Sequence, residues 1–208
     1  MPRYGMVIDL KRCYGCYACV MACKVKNHTP PNVFWARVLK GERGVYPNSM
    51  RQALPVLCMH CDEPSCVEVC PTGATYKKDD GIVVVEKEKC MGCKSCMMAC
   101  PYGARYSVEE WDSYFPDGLE LSPYEEFAKR YWEEHSGVGV ATKCDFCSDV
   151  IKEGKKPACV DACPANARTF GDLDDNESEA SILIRKYRGQ VLNAELGNEP
   201  KVYYLAPR

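Results

Sequence analysis

The chain has 208 residues, and its 27 Lys and Arg against 29 Asp and Glu give a formal net charge of −2. Such a balance offers no broad basic surface, which argues against nucleic acid as a partner. No run of 18 apolar residues occurs, so no membrane-spanning helix is predicted.

The first predicted element is a short strand over residues 4–9, YGMVID, leading into CYGCYACVMACK, which places four cysteines within eleven positions. Disulfides fit this stretch poorly, because a disulfide needs Cα atoms about 4.4–6.8 Å apart and four thiols in one short loop would crowd each other. Zinc, often bound by C-x2-C pairs, would leave two thiols unused. The spacing C-x2-C-x2-C-x3-C is typical of a cubane [4Fe-4S] cluster that takes its fourth ligand from elsewhere in the chain.

Three more cysteine quartets follow. The second, CMHCDEPSCVEVCP, has two extra residues before its third cysteine, and the third, CMGCKSCMMACP, keeps the unmodified spacing. The fourth has an eleven-residue excursion before its third cysteine. A proline that ends any preceding helix follows the last three quartets (Pro71, Pro101, Pro164), whereas Lys24 follows the first. The quartets use all 16 cysteines and predict four [4Fe-4S] clusters.

Between the second and third quartets, TYKKDDGIVVVEKEKC predicts a β-hairpin with its turn at Asp80-Gly81 and a buried strand over residues 82–85. Motif, hairpin, motif is the plan of a two-cluster ferredoxin, in which the fourth cysteine of each motif ligates the cluster of the other. The first and last motifs flank this unit and are therefore paired with each other. The predicted ligand sets are set 1 (Cys13, Cys16, Cys19, Cys163), set 2 (Cys23, Cys144, Cys147, Cys159), set 3 (Cys58, Cys61, Cys66, Cys100) and set 4 (Cys70, Cys90, Cys93, Cys96).

The predicted fold class is α+β, with two ferredoxin-like 2[4Fe-4S] modules, one inserted in the other, built from short strands, short helices and many loops. The outer module takes residues 1–50 and 140–208, and the inner module takes residues 51–107. Residues 108–139 form an acidic and aromatic insertion. Because clusters replace much of an apolar core, folding is expected to depend on the metal.

The insertion contains a capping box at Ser122 and Glu125, with Pro123 at the first helical position, which predicts a helix over residues 123–135. This segment is either a surface helix that covers the modules or a docking element for a partner. Its aromatic residues are of the types that anchor interfaces: Trp111, Tyr114, Phe115, Tyr131 and Trp132. A further helix that begins at Ser178 and a last strand in KVYYL complete the predicted elements.

Few side chains outside the quartets suggest chemistry. His60, between Cys58 and Cys61, does not make a Rieske centre, which needs two histidines in place of two cysteines, so it is expected beside a cluster or at the surface. Two glycine-rich stretches, at residues 137–142 and 149–156, lack the phosphate-loop pattern. No catalytic residue and no cofactor site beyond the cluster ligands is predicted. Six cations beside the motifs either raise cluster potentials or are ordinary solvated charges: Lys11, Arg12, Lys24, Lys89, Lys94 and Lys143.

In the order of its motifs the chain resembles the four-cluster electron-transfer subunits of the dimethyl sulfoxide reductase class of molybdenum oxidoreductases. The stretches that carry the resemblance are VIDLKRCYGCYACVMACK, CMHCDEPSCVEVCPTGA, CMGCKSCMMACPYGA, and KCDFC with PACVDACPANARTFGDLDD. The resemblance implies a large catalytic partner whose molybdenum or tungsten is held by bis-pyranopterin guanine dinucleotide. It implies a wire in which set 1 lies nearest that partner. Set 4 lies at the far end, commonly beside a quinone-interacting, quinol-oxidising membrane anchor.

Some relatives carry tryptophan at the position of Cys93 and a [3Fe-4S] cluster, so the cysteine here implies a cubane. The beginning and the closing ELGNEPKVYYL are similar to small subunits of arsenate and polysulfide or thiosulfate reductases. ERGVYP and DGIV are similar to the transhydroxylase small subunit, which has three clusters. A free-standing polyferredoxin and a zinc-binding scaffold stay open as alternatives. The start has no signal sequence, so we expect a cytoplasmic protein, or a periplasmic or membrane-associated one if it is exported with its partner.

Overall fold

The structure is a computed structural model that describes residues 1–115 and 119–206. Its strands are β1 (Tyr4–Asp9), β2 (Arg37–Arg43), β3 (Met50–Val56), β4 (Thr75–Lys77), β5 (Val83–Val85), β6 (Tyr106–Ser107), β7 (Ala141–Thr142), β8 (Arg168–Asp172), β9 (Gln190–Val191) and β10 (Val202–Leu205). Its α-helices are α1 (Ala18–Asn27), α2 (Ser65–Glu68), α3 (Ser95–Met98), α4 (Pro123–His135), α5 (Ser148–Lys152), α6 (Ala158–Asp161) and α7 (Glu179–Tyr187). The mixture of short helices and strands agrees with the predicted α+β class.

A four-stranded sheet in the order β8-β1-β10-β9 brings the two ends of the chain together. Strand β1 lies inside this sheet, antiparallel to β8 and parallel to β10, with Met6 opposite both Phe170 and Val202. Its residues 5–8 are all buried, because the strand has a neighbour on each side and its two faces are covered. The strands predicted over 4–9 and in KVYYL are both confirmed.

Two hairpins lie outside this sheet. Strands β4 and β5 form the predicted hairpin, closed by the Lys78 N–H, which donates to the Ile82 carbonyl at 3.0 Å. Gly81 has a φ of 77° in its turn, a conformation that favours glycine. The longer hairpin of β2 and β3, which runs from Arg37 opposite Val56 to Arg43 opposite Met50, was not predicted from the sequence.

Helix α4 has the predicted bounds and the predicted capping box. The Ser122 hydroxyl accepts the Glu125 N–H at 3.3 Å, and the Glu125 carboxylate accepts the Ser122 N–H at 3.2 Å. Trp132 is fully buried against Val33 and Val108, so this aromatic residue supports the covering helix rather than the docking element. Helix α4 is therefore packed onto the cysteine-containing part of the chain by the buried indole of Trp132.

The remaining aromatic residues of the insertion differ in exposure. Tyr114 and Phe115 are exposed, whereas Trp111 and Tyr131 are half-buried. Tyr114 nevertheless donates its hydroxyl to the Thr29 carbonyl at 2.9 Å. The insertion is thus held to the rest of the chain by both apolar and polar contacts.

The main apolar core contains cysteines as well as aliphatic residues. Met6 and Ile8 of β1 lie in the same buried cluster as Ile82 of the β4–β5 hairpin and Phe146 of the fourth motif. Helix α1 packs against α6. Helix α7 was predicted to begin at Ser178, which is its N-cap, and it packs on the β1–β8 part of the sheet. Over residues 1–115 and 119–206, none of the helices has the length and apolar character needed to cross a membrane.

Candidate metal centres

Two small cavities are each lined by the four cysteines of one predicted set. One is lined by all of set 1, with Arg168 beside the thiols, and the other by all of set 3, with His60 and Arg105 beside them. In both cavities one cysteine comes from the other motif of its pair: Cys163 joins the first motif, and Cys100 joins the second. Cys23 and Cys70, the last cysteines of those motifs, do not line these cavities.

The members of the other two sets also lie near one another. In set 2, burial together with the negative charges of Cys159 and Cys147 raises the pKa of Cys23 to about 12. Burial likewise raises the pKa of Cys144 well above its ordinary value, and the negative charge of Cys23 acts in the same direction. All four thiols of set 2 are buried. They therefore occupy one apolar region, where isolated thiolates would be costly.

In set 4 the thiols are closer to solvent. Cys96 is buried and interacts with Cys90 and Cys70, and Cys93 interacts with Cys70. Hydrogen bonds from Ser95 lower the pKa of the exposed Cys93 thiol. The structure thus brings each of the four predicted groups together, with different degrees of exposure.

All sixteen cysteines lie within the described residues, and none of them is in a disulfide. Cys16 of set 1 and Cys93 of set 4 are the two exposed members of the sixteen. Across residues 1–115 and 119–206, no three Cys, His, Asp or Glu side chains have the close spacing that a single bound metal ion needs.

His60 and Phe146 form a stacked pair where sets 2 and 3 meet. In the sequence, His60 lies between the first two cysteines of the second motif, which belong to set 3, and Phe146 lies between the first two cysteines of the fourth motif, which belong to set 2. The ring centroids are 3.8 Å apart and the planes are inclined by 23°. The His60 Nδ1 accepts the Val83 N–H at 3.2 Å, and burial lowers the pKa of His60 well below its ordinary value. The proton of this neutral ring therefore lies on Nε2.

The Nε2 atom of His60 is buried and makes no hydrogen bond of regular geometry within the described residues, although the ring interacts with the Cys144 backbone, and His60 lines the set 3 cavity. A buried donor without an acceptor is costly. The sulfides of an iron–sulfur cluster in that cavity would supply acceptors. His60 is thus buried beside set 3, which decides between the two positions expected from the sequence.

The donors around the sulfurs also fit iron–sulfur clusters. Two backbone N–H groups donate to cysteine sulfurs. The Thr75 N–H donates to Cys70 Sγ at 3.4 Å, and the Ala167 N–H donates to Cys163 Sγ at 3.3 Å. Such hydrogen bonds tune cluster potentials, and thiolates in groups of four are the ligands of [4Fe-4S] clusters. When bound, clusters of this kind take up and release single electrons. The protein supplies the ligands, the hydrogen bonds and the exclusion of water.

Two arginines beside the thiols were missed by sequence reasoning. Arg105 Nη2 donates to Cys66 Sγ at 2.9 Å, and Arg168 Nη2 donates to Cys19 Sγ at 3.4 Å. Both arginines are buried. The signal in the sequence is that each lies five residues after the last cysteine of its motif, in CPYGAR and CPANAR.

The six cations that were expected beside the motifs fall into two groups. Lys24 and Lys143 are buried and donate to backbone carbonyls, such as Pro30 O at 2.7 Å and Cys144 O at 2.7 Å, so they organise loops. Burial lowers the pKa of Lys24 to about 8. The other four are exposed: Lys11, Arg12, Lys89 and Lys94. Lys89 and Lys94 are in ion pairs with Glu86 and Glu109, respectively.

Comparison with known families and proteins agrees with this geometry. A family model described as a 4Fe-4S dicluster domain matches residues 50–115 and 117–173, more than half of the chain, and one described as a 4Fe-4S binding domain matches residues 10–26. A protein of Halobacterium salinarum, provisionally named as an iron-sulfur subunit of dimethyl sulfoxide reductase, is 43% identical over 99% of this chain and 79% of its own length.

Two further relatives come from bacteria. A selenate reductase subunit of Mesobacillus selenatarsenatis is 43% identical over 98% of this chain and 72% of its own length. The iron-sulfur subunit of an arsenate respiratory reductase of a Shewanella species is 38% identical over 98% of this chain and 96% of its own length. The chain therefore belongs to the family of iron–sulfur electron-transfer subunits of the dimethyl sulfoxide reductase class.

Proposed function

We propose that this subunit carries four [4Fe-4S] clusters, held by sets 1 to 4, and relays electrons to or from a molybdopterin catalytic subunit. The observation that carries the proposal is the series of contacts that joins the four groups of thiols in the order 1, 2, 3, 4. The two exposed cysteines, Cys16 and Cys93, belong to the first and last groups, so electrons would enter and leave at opposite ends of the series.

Neighbouring thiols support the order of the sets. Arg168 hydrogen-bonds Cys19 of set 1 and Cys159 of set 2. Cys144 of set 2 interacts with Cys58 of set 3. Arg105 hydrogen-bonds Cys66 of set 3, and its charge interacts with Cys96 of set 4. Each link joins consecutive sets, and together they support the order 1, 2, 3, 4.

We propose that sets 1 and 2 form an outer ferredoxin-like module, residues 1–50 and 140–208, around an inner module, residues 51–107, with 108–139 as an insertion. The sheet of β8, β1, β10 and β9 supports this division, because it pairs the first strand with strands near the end of the chain. The packing of α1 on α6 supports it too, since these helices carry cysteines of the first and fourth motifs. The β4–β5 hairpin supports the inner module.

The partners are proposed from the family and from the names of the relatives. A catalytic subunit with molybdenum or tungsten on bis-pyranopterin guanine dinucleotide would dock near set 1. A quinol-oxidising membrane anchor, or another electron donor or acceptor, would dock near set 4. The proposal is supported by one relative named as a selenate reductase subunit and another named as the iron-sulfur subunit of an arsenate respiratory reductase.

The test is to purify the chain anaerobically from its native source and to count its metals and the subunits that travel with it. An equimolar large subunit with molybdenum or tungsten, and about sixteen irons on this chain, is the expected result. Sixteen irons on a chain that purifies alone would favour the polyferredoxin. A colourless chain that holds stoichiometric zinc would overturn the iron–sulfur assignment.

A further inference from the structure

Arg105 and Arg168 occupy corresponding places in the two pairs of motifs. Each lies five residues after the last cysteine of its own motif, Cys100 or Cys163. Their relative exposures are 4% and 5%, so both guanidinium groups are removed from water. Two buried arginines at the same offset indicate a shared role.

Each arginine interacts with one cysteine from each set of its pair. Arg105 donates to Cys66 Sγ at 2.9 Å, and its positive charge interacts with the Cys96 thiol, whose pKa it acts to lower against the effect of burial. Arg168 donates to Cys19 Sγ at 3.4 Å and to Cys159 Sγ at 3.8 Å. All four of these cysteines are the third cysteine of their motifs. The two guanidinium groups therefore stand at equivalent junctions, one between sets 3 and 4 and the other between sets 1 and 2.

Carboxylates do not balance these two positive charges. Within the described residues, neither arginine is in an ion pair with Asp or Glu. Burial acts to lower the pKa of Arg105, but the negative charges of Cys66, Cys58 and Cys96 outweigh it and the pKa is raised. A buried charge without a partner would cost several kcal/mol, on the order given for buried ions. The balancing charge is therefore that of the thiolates and of the clusters they would hold.

A positive charge at such a junction acts on both sides of it. An added electron on either cluster would be stabilised by the same guanidinium, and the low-polarity surroundings weaken this interaction less than water would. Exposed cations near the motifs differ, because Lys94 is already paired with Glu109 and is screened by solvent. Arginine also keeps its proton throughout the working pH range, so its effect is constant.

We propose that Arg105 and Arg168 are positioning residues that set the potentials of two clusters at once, Arg105 for sets 3 and 4 and Arg168 for sets 1 and 2. Each raises both potentials of its pair, because an electron added to either cluster is stabilised by the same positive charge. The guanidinium itself makes and breaks no bond and transfers no proton. This inference rests on the proposed function, because it requires a cluster in each set.

The test uses the anaerobically prepared full chain, with its catalytic partner where the two copurify, and compares Arg105→Gln with Arg105→Lys. The readouts are the iron and sulfide content and the midpoint potentials from a redox titration followed by electron paramagnetic resonance. For Arg105→Gln, we expect the midpoint potentials of the clusters in sets 3 and 4, the inner pair, to fall by at least 59 mV. This is the shift that corresponds to a tenfold change in a one-electron reduction equilibrium. The two outer potentials stay unchanged, and Arg105→Lys shifts the inner pair less.

Arg168→Gln is expected to give the mirror result, with the outer pair lowered and the inner pair unchanged. Lys94→Gln is the matched control, since it removes an exposed cation from the third motif, and it leaves all four potentials in place. A shift of only one cluster in a pair, or none at full iron content, would overturn the inference. If Arg105→Gln loses iron, Arg105→Lys decides: retained iron with near-native potentials supports the role of charge, whereas equal loss overturns it. Failure of the proposed function would be evident separately, as a wild-type chain without about sixteen irons.

Discussion

Set 2 and set 4 are built from cysteines in similar motifs, yet they differ in their exposure to solvent. All four thiols of set 2 are buried, while set 4 has one buried thiol, two half-buried thiols and the exposed Cys93. Set 2 takes Cys23 from α1 and Cys159 from α6, two helices that pack together, whereas the cysteines of set 4 lie on either side of the local β4–β5 hairpin in the sequence. Similar cysteine motifs are therefore compatible with both a buried and a solvent-exposed group of thiols, which the proposed function interprets as an inner and a terminal member of the series.

The largest effect is expected from removing one ligand in each of these sets. Cys147→Ser leaves a buried group of thiols without its cluster, so we expect loss of four or more irons together with a loss of folded protein. Cys93→Ser removes an exposed ligand of set 4, so we expect the loss of one cluster at most, with about twelve irons or more retained on a folded chain. Iron and sulfide counts with anaerobic thermal unfolding measure both outcomes. Greater loss from Cys93→Ser would contradict the assignment of interior and terminal sets.

A second prediction concerns the sheet that joins the chain ends behind set 2. Ile8 is fully buried in β1, so Ile8→Ala removes packing on which the outer pair depends. The free energy of unfolding is expected to fall by about 2–5 kcal/mol. Sets 1 and 2 should then release iron to a chelator before sets 3 and 4.

The matched control is Ile182→Ala on the exposed side of α7, where a change within about 0.5 kcal/mol is expected. Release of iron from the inner sets first, in Ile8→Ala, would show that the sheet does not support the outer pair specifically.

A smaller effect is expected in the insertion, which contacts the cysteine-containing part through Trp132. Ser122→Ala removes the hydroxyl that caps α4, at a cost of about 1 kcal/mol in unfolding free energy. The iron content should not change. Ser136→Ala, at the other end of α4, removes a hydroxyl without a cap role, and it should leave the thermal midpoint in place. Equal shifts from both variants would argue against the capping box as the cause.

The smallest effect is expected at Lys94, beside the exposed end of set 4. Lys94→Gln breaks its ion pair with Glu109, and because both side chains are largely exposed the change in stability should stay below about 1 kcal/mol. It should shrink further as salt is added, since exposed charges are screened. Unfolding midpoints at two ionic strengths measure it. A large loss of stability that does not depend on salt would show that the region around Lys94 is more buried than the exposure of Cys93 indicates.

Elements with strong local signals were predictable from the sequence. The capping box at Ser122 and Glu125 predicted the start of α4, and the Asp80-Gly81 turn predicted the β4–β5 hairpin. Neighbouring residues carry both of these patterns, so no long-range contact had to be known for them. The grouping of cysteines was predicted instead from the exchange of fourth ligands between motifs, which joins cysteines as far apart in the chain as Cys19 and Cys163.

Features that depend on distant contacts were not predictable. The β2–β3 hairpin lacks a short turn signal, since residues 44–49, of mixed character, separate its strands. Arg105 and Lys24 are both cations near motifs, but only the fold shows that one reaches sulfurs and the other binds carbonyls. Tryptophan is a residue type that is common at protein interfaces. Trp132 is instead buried against Val33, which lies about a hundred residues earlier in the chain, so its burial could not be predicted from neighbouring residues.

The central claim is that four clusters lie in series between Cys16 and Cys93, and iron and acid-labile sulfide per chain test it most directly. On the anaerobically purified protein, we expect about sixteen irons and sixteen sulfides per polypeptide, with four one-electron transitions in a redox titration. About eight irons, or zinc in place of iron, would contradict the claim.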